Sequence, residues 1–203
     1  MASGRIAVRR RMRAPERRAQ LLEVARRAFG TRGFHAVSME SVARQAGVTK
    51  PTLYDHFPSK KELYLALLDA DLSGLHDRVT RALRSPIGNR ERIRASFQAY
   101  FDFVDEHDEG FRLLMQETVG AEREFRERVS IVRDQILGEV AELITRESRG
   151  RLDRQQAETV ALALVGMVET VAQRDAAGPA PLRRADVDTL VRLAWRGITE
   201  LTG

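Results

Sequence analysis

Apolar residues recur along this chain at spacings of three and four with charged residues between them, the signature of amphipathic helices. Leu21, Leu22, Val24, Ala25, Ala28 and Phe29 keep that spacing from Pro15 until Gly33 stops the run, predicting a helix over about 15–31. Ser38 suits the cap of a second helix, about 39–45, with Met39, Val42, Ala43 and Ala46 on one face. Gly47 permits a sharp turn, and Thr49 then caps a third helix from Lys50 to about His56. Pro51 is harmless there, because first-turn amides have no intrahelical partner. After Phe57-Pro58 the chain restarts at a capping box of Ser59 and Glu62, which opens a long helix to about Leu83.

The same periodicity continues beyond the Ser85–Gly88 break. A helix over about 89–107 lines up Ile93, Phe97, Tyr100, Phe101 and Val104, and a short one carries Phe111, Leu114 and Met115. Over about 121–148, Phe125, Val129, Val132, Ile136, Val140 and Leu143 form one stripe, as in the wall of a helical bundle. The segment 153–174 is apolar nearly all round between Val160 and Val171, and 186–201 repeats the pattern, with a Gly178–Pro181 linker between them. About nine helices and no alternating strand pattern make the fold class all-α.

Composition adds exclusions. The chain of 203 residues has no cysteine, so disulfides, thiolate metal sites and a cysteine nucleophile are out of play. The longest nearly apolar run, at 159–168, is about half of a bilayer span. The basic N-terminus lacks an apolar h-region, so a cytoplasmic protein is expected. The histidines at 35, 56, 76 and 107 show no metal-ligand helical spacing, and neither a phosphate loop nor a nucleophile elbow appears. No metal, cofactor or catalytic residue is therefore expected, and the chain does not read as an enzyme.

Charge points to a partner. Residues 1–60 hold 11 arginines and 2 lysines against 4 acids, whereas residues 61–203 are mildly acidic. A basic end on an acidic body suits a polyanion. Two short helices joined by "AGVT" have the proportions of a helix-turn-helix, whose second helix enters the major groove with its N-terminal residues against base edges. Leu53 and Phe57, four apart, can pack inward against Val42, leaving Lys50, Pro51, Thr52, Tyr54 and His56 outside. Lys50 can donate to guanine or phosphate, and Pro51 and the Thr52 methyl can touch a thymine methyl. Tyr54, His56 and Lys60 can donate to flanking phosphates.

The stretch "RAQLLEVARRAFGTRGFHAVSMESVARQAGVTKPTLYDHFPSKKELYLALL", residues 18–68, resembles the N-terminal DNA-binding domain of the TetR family of transcriptional regulators. The match runs through the end of the first helix, the Ser38 cap, "VARQAGV", "TLYDHF" and "SKKEL". The resemblance implies that Thr49, Lys50, Pro51, Thr52, Tyr54, His56 and Lys60 sit at DNA-contact positions, with Ser38 and Arg44 as further candidates on the second helix. Glu40 stands where some relatives carry a base-reading arginine. The implied architecture is an N-terminal three-helix DNA-binding domain followed by a helical bundle for ligand binding and dimerisation. The boundaries are a basic, disordered arm at 1–14, the helix-turn-helix domain at 15–60, and the bundle at 61–203. The arm can grip the minor groove or remain a solvated tail.

Five of the eight phenylalanines fall between 97 and 125, where bulky rings either line a cavity or form ordinary core. The family's inducer pocket implies a cavity, with Phe97, Tyr100, Phe101, Phe111, Leu114, Met115, Phe125 and Val129 as its candidates. The last two helices carry more apolar surface than one core can use, which predicts a homodimer through Val160, Leu164, Val168, Val171, Leu190, Ala194, Trp195 and Ile198. The expected partners are a second copy, double-stranded DNA with a palindromic operator, and a small apolar effector; no membrane is expected. The expectation is a repressor released by its ligand. The alternative is an architectural DNA-binding protein, or a regulator controlled by a protein partner, and a core lacking a cavity on the order of 300 Å³ would favour it.

Overall fold

The computed structural model describes residues 12–106, 123–176 and 184–202, and all description below is of these residues. They form eight α-helices and no strand. The helices are α1 (Ala14–Ala36), α2 (Met39–Ala46), α3 (Lys50–His56), α4 (Lys60–Leu83), α5 (Asn89–Glu106), α6 (Arg123–Glu147), α7 (Arg154–Ala176) and α8 (Arg184–Thr202). The expected short helix with Phe111, Leu114 and Met115, the Gly178–Pro181 linker and residues 1–11 of the arm lie outside the described residues. The chain separates into two compact units, Met1–Tyr64 and Leu65–Gly203, and the division falls inside α4.

The first unit is α1, α2, α3 and the start of α4. Gly33 does not end α1; it interrupts the helix with φ +79°, and the chain resumes to Ala36. This brings Phe34 under the turn, where Phe29 and Phe34 each meet Tyr64 edge-on, at centroid distances of 5.2 and 5.0 Å. Lys60 closes the same corner. Its Nζ donates to the carbonyls of Phe34 at 2.9 Å and His35 at 3.4 Å and lies 4.5 Å from the Phe34 ring centre, satisfying orphan carbonyls at the end of α1. The inward residues of α2 and α3, among them Val42, Ala43, Leu53 and Phe57, complete this small core.

The second unit is a bundle of the rest of α4 with α5 to α8. α7 packs on α6, α5 and α8, and α5 packs also on α8. Leu75, Val79, Phe101, Phe103, Val104, Ala161, Ala172 and Val191 are among its buried residues. Polar links join the helices at their edges. Thr80 donates to Glu139 at 2.7 Å, His76 Nε2 lies 3.3 Å from Glu139, Arg128 pairs with Asp69, and Arg94 pairs with Asp188. Pairs this exposed add little stability but fix which helix faces meet.

Candidate nucleic-acid interface and apolar cavity

The turn between α2 and α3 is built by three local devices. Ser38 Oγ accepts the Ser41 N–H at 3.1 Å and starts α2. Gly47 ends it in the left-handed region, φ +64° and ψ +34°, while its N–H and that of Val48 return to the carbonyls of Arg44 and Ala43. Thr49 Oγ1 accepts the Thr52 N–H at 3.4 Å and starts α3. Leu53 is fully buried and Phe57 nearly so, with the Arg18 guanidinium 4.8 Å over the Phe57 ring. Two anchors four residues apart fix the rotation of α3 about its axis.

That rotation leaves Thr49, Lys50, Pro51 and Tyr54 exposed and Thr52 and His56 half-buried, on one short helix. The Lys50 amine stands 6.0 Å from the Tyr54 ring centre. The Thr49 and Thr52 hydroxyls are 2.8 Å apart, so Thr52 presents its methyl more freely than its hydroxyl. Ser38 and Arg44 are exposed on α2, as is Glu40. Lys60 stands apart from the other candidates, because two of its three ammonium donors are engaged by α1 carbonyls. From the sequence it reads as an outward cation; the closing of α1 depends on the Gly33 kink and has no local signal.

Among its described residues the second unit holds a partly open cavity of about 180 Å³. That is smaller than the roughly 300 Å³ at which ligand sites begin. Its walls come from all five helices, and along α6 they run from Val129 to Ser148, about 28 Å. Of the candidates, Phe97, Tyr100 and Val129 line it, whereas Phe101 and Phe125 are buried outside the lining. Phe111, Leu114 and Met115 lie outside the described residues. The candidates missed a stripe of α4, Leu72, Leu75, Val79 and Leu83, and much of the α6 wall, including Ile136, Val140 and Ile144. The spacing of three, four and four on α4 is the signal that could have found it.

Two polar groups interrupt the apolar lining. Near one end the Arg133 Nε lies 3.1 Å from both carboxylate oxygens of Glu169, and Tyr100 lines the same cavity. Burial pushes the Tyr100 phenol above its ordinary range, with the Glu169 charge adding to the rise and Arg133 opposing it. At the other end, Arg92 and Asn89 donate to Glu147 at 3.0 and 3.2 Å and hold its carboxyl below the usual range.

The residues expected to face a second copy differ in how far this unit itself buries them. Leu164, Val168, Leu190 and Ala194 are buried in this unit's own core, and Val160 and Val171 pack against it. Leu164, Val168, Trp195 and Ile198 line the cavity. The reason is rotational: with the apolar surface extending nearly round α7, periodicity cannot say which arc faces inward. The arc left outside carries Leu162 on α7 and Leu193 and Leu201 on α8, each more than half exposed.

Both parts of the chain match known sequences. Residues 21–67 match the family described as "Bacterial regulatory proteins, tetR family", and residues 89–197 match "Tetracyclin repressor-like, C-terminal domain". The HTH-type transcriptional activator FasR of Mycolicibacterium smegmatis is 36% identical over 94% of this chain and 87% of its own. The HTH-type transcriptional repressor KstR2 of Mycobacterium tuberculosis is 35% identical over 45% of this chain and 46% of its own. A TetR-like transcriptional regulator from Rhodococcus sp. RHA1 has a crystal structure that superposes with a TM-score of 0.74, at 31% identity over 93% of this chain and 99% of that one. The helix-turn-helix, the bundle behind it and these matches together place the chain in the TetR family of DNA-binding transcriptional regulators.

Proposed function

We propose that this regulator binds a two-fold-symmetric operator as a homodimer and releases it when a small, largely apolar molecule occupies the cavity, acting as a repressor. The observation that carries the reading is the apolar cavity of about 180 Å³ in the same chain as the helix-turn-helix. A purely architectural DNA-binding protein has no use for it.

Recognition falls to α3. Lys50 and Pro51 stand at its N-terminal end for base edges, and Tyr54 and His56 flank them for phosphates. Ser38 and Arg44 supply phosphate contacts from α2, while Thr49, the cap of α3, and Thr52 in its first turn meet the groove. Lys60 has one donor left for a phosphate beyond its structural bonds. Dimerisation uses the outer arc of α7 and α8. There Leu162 and Leu193 are each followed four residues later by a glycine, Gly166 and Gly197, with open space where a side chain would stand. A second copy can approach closely over these glycines and cover the leucines.

α4 supplies the coupling. It begins in the DNA-binding unit at Lys60 and is continuous to Leu83, and its second half lines the cavity. A ligand that fits only one position of α4 shifts the population of two separations of the recognition helices. A second reading, activation, is favoured by FasR, the relative matched over most of this chain, which is named an activator. The sign depends on where the operator lies relative to the promoter.

The test is selection of genomic fragments on the purified protein at about 150 mM salt, followed by footprinting. One or a few short palindromes are expected. Uniform retention that vanishes with added salt would mean backbone-only binding and would overturn the reading. Reporter transcription with and without the regulator then decides its sign.

A further inference from the structure

The closely packed helix pairs of the second unit are α6 with α7, α5 with α8, α5 with α7 and α7 with α8, and α4 belongs to none of them. The inward stripe of α4, Leu72, Leu75, Val79 and Leu83, borders the cavity, so part of that face meets space and forgoes the dispersion attraction of packed atoms. Apolar burial is also non-directional, and polar contacts are what can fix a helix in one position. On the flank of α4 three side chains, four residues apart, converge on one carboxylate of α6. Thr80 Oγ1 donates to Glu139 Oε2 at 2.7 Å, while His76 Nε2 lies 3.3 Å and an Arg84 terminal nitrogen 3.6 Å from Oε1. Arg84 stands just past the end of α4, where its N–H still returns to the Thr80 carbonyl at 3.0 Å, so all three share one helical face. Tethers spread over about 12 Å of helix and meeting at one point resist both sliding and rotation, as a single pair does not. Two further links of α4, Asp69 with Arg128 and Arg78 with Glu106, have carboxylates about half exposed, whereas Glu139 is one-quarter exposed and less weakened by water.

We infer that Glu139 is a positioning residue for operator binding: through Thr80, His76 and Arg84 it narrows the positions α4 takes, and with them the separation of the two recognition helices in the dimer. Glu139 stands on α6 outside the cavity lining, so this role is separate from ligand contact. The inference rests on the reading of α4 as the coupling element. An operator of fixed half-site spacing accepts only part of a wider range of separations, so loosening α4 lowers the apparent affinity by the fraction of dimers that no longer fit.

The test is titration of the operator obtained by genomic selection with the full-length protein, at a temperature where circular dichroism shows every variant folded. Glu139→Ala is expected to weaken binding about fivefold or more. Thr80→Val keeps the carboxylate and the shape of the side chain it replaces, and should weaken binding in the same direction. The double variant should be no weaker than Glu139→Ala alone, because both changes remove one contact. Arg94→Ala breaks a polar link of the same kind between α5 and α8 and should leave operator affinity unchanged. Affinity unaltered or raised in Glu139→Ala, losses that add in the double variant, or an equal loss in Arg94→Ala overturns the inference and leaves the operator reading standing. If the wild type selects no operator, that reading falls and this inference with it. The chain has no cysteine, so Gln45→Cys, at an exposed position on α2, carries one spin label per protomer. The distribution of label-to-label distances in the dimer should broaden when Glu139→Ala is added, and an unchanged width also overturns the inference.

Discussion

Neighbouring residues of α3 divide sharply between scaffold and reader. Leu53 is fully buried, and truncation to alanine is expected to cost about 2–5 kcal/mol of stability, checked by urea unfolding. Lys50 is exposed and pairs with no carboxylate among the described residues, so Lys50→Ala should leave stability within about 0.5 kcal/mol of wild type. Its operator affinity should instead fall, by about 1–3 kcal/mol at one base pair if a base is read. An equal loss on operator and random DNA would restrict Lys50 to phosphate. Gly47 shows a third kind of constraint. Nothing lies within 4 Å of a side chain added there, yet its φ of +64° makes Gly47→Ala cost about 1–2 kcal/mol through backbone strain alone. Gly47→Asn should recover part of that, because asparagine tolerates the left-handed region; thermal melts of the two variants distinguish strain from a steric clash.

At the scale of the element, caps and anchors do separate work. Ser38→Ala and Thr49→Ala each remove one side-chain acceptor from a different helix, and each is expected to destabilise by about 1 kcal/mol. The two hydroxyls do not bond each other, so the losses should add in the double variant; a shortfall in urea unfolding beyond about 0.5 kcal/mol would show that the turn responds as one unit. Start and stop signals of this kind made the helix-turn-helix legible. Gly33 was readable as an interruption, but that the chain resumes helically to Ala36 was not, because what holds the added turn is Tyr64 and Lys60, about thirty residues on. α7 was legible as an element but not in its rotation. Its apolar run showed more apolar surface than one core can use, and which part of it packs inward depends on α5, α6 and α8 around it.

For the whole molecule, assembly and ligand response can be separated. Leu193→Glu places a charge on the exposed arc of α8 without touching the core, so it is expected to give a folded monomer by sedimentation that no longer binds a palindromic operator tightly. A dimer that persists would move the interface elsewhere. Val168→Phe acts on the other side of the same bundle. It fills part of the cavity, and the protein should still bind operator DNA while losing its response to ligand. Retained response would mean that the effector binds outside this space. Ligand binding itself should raise the melting temperature with the logarithm of free ligand above its dissociation constant.

The sequence alone determined what depends on neighbours within a few residues: the starts of α2 and α3, the Ser38 and Thr49 caps, the Gly47 turn, the inward pair Leu53 and Phe57, and through them the resemblance to the TetR family, to which the matches over residues 21–67 and 89–197 assign the chain. Only the tertiary structure decided which arc of each bundle helix faces inward, that a stripe of α4 lines the cavity, and that Lys60 bonds the end of α1. It also joined Arg133 to Glu169, 36 residues apart. The physical reason is range. Caps and turns are satisfied by atoms a turn away, whereas burial and ion pairing depend on helices whose relative rotation no local spacing encodes.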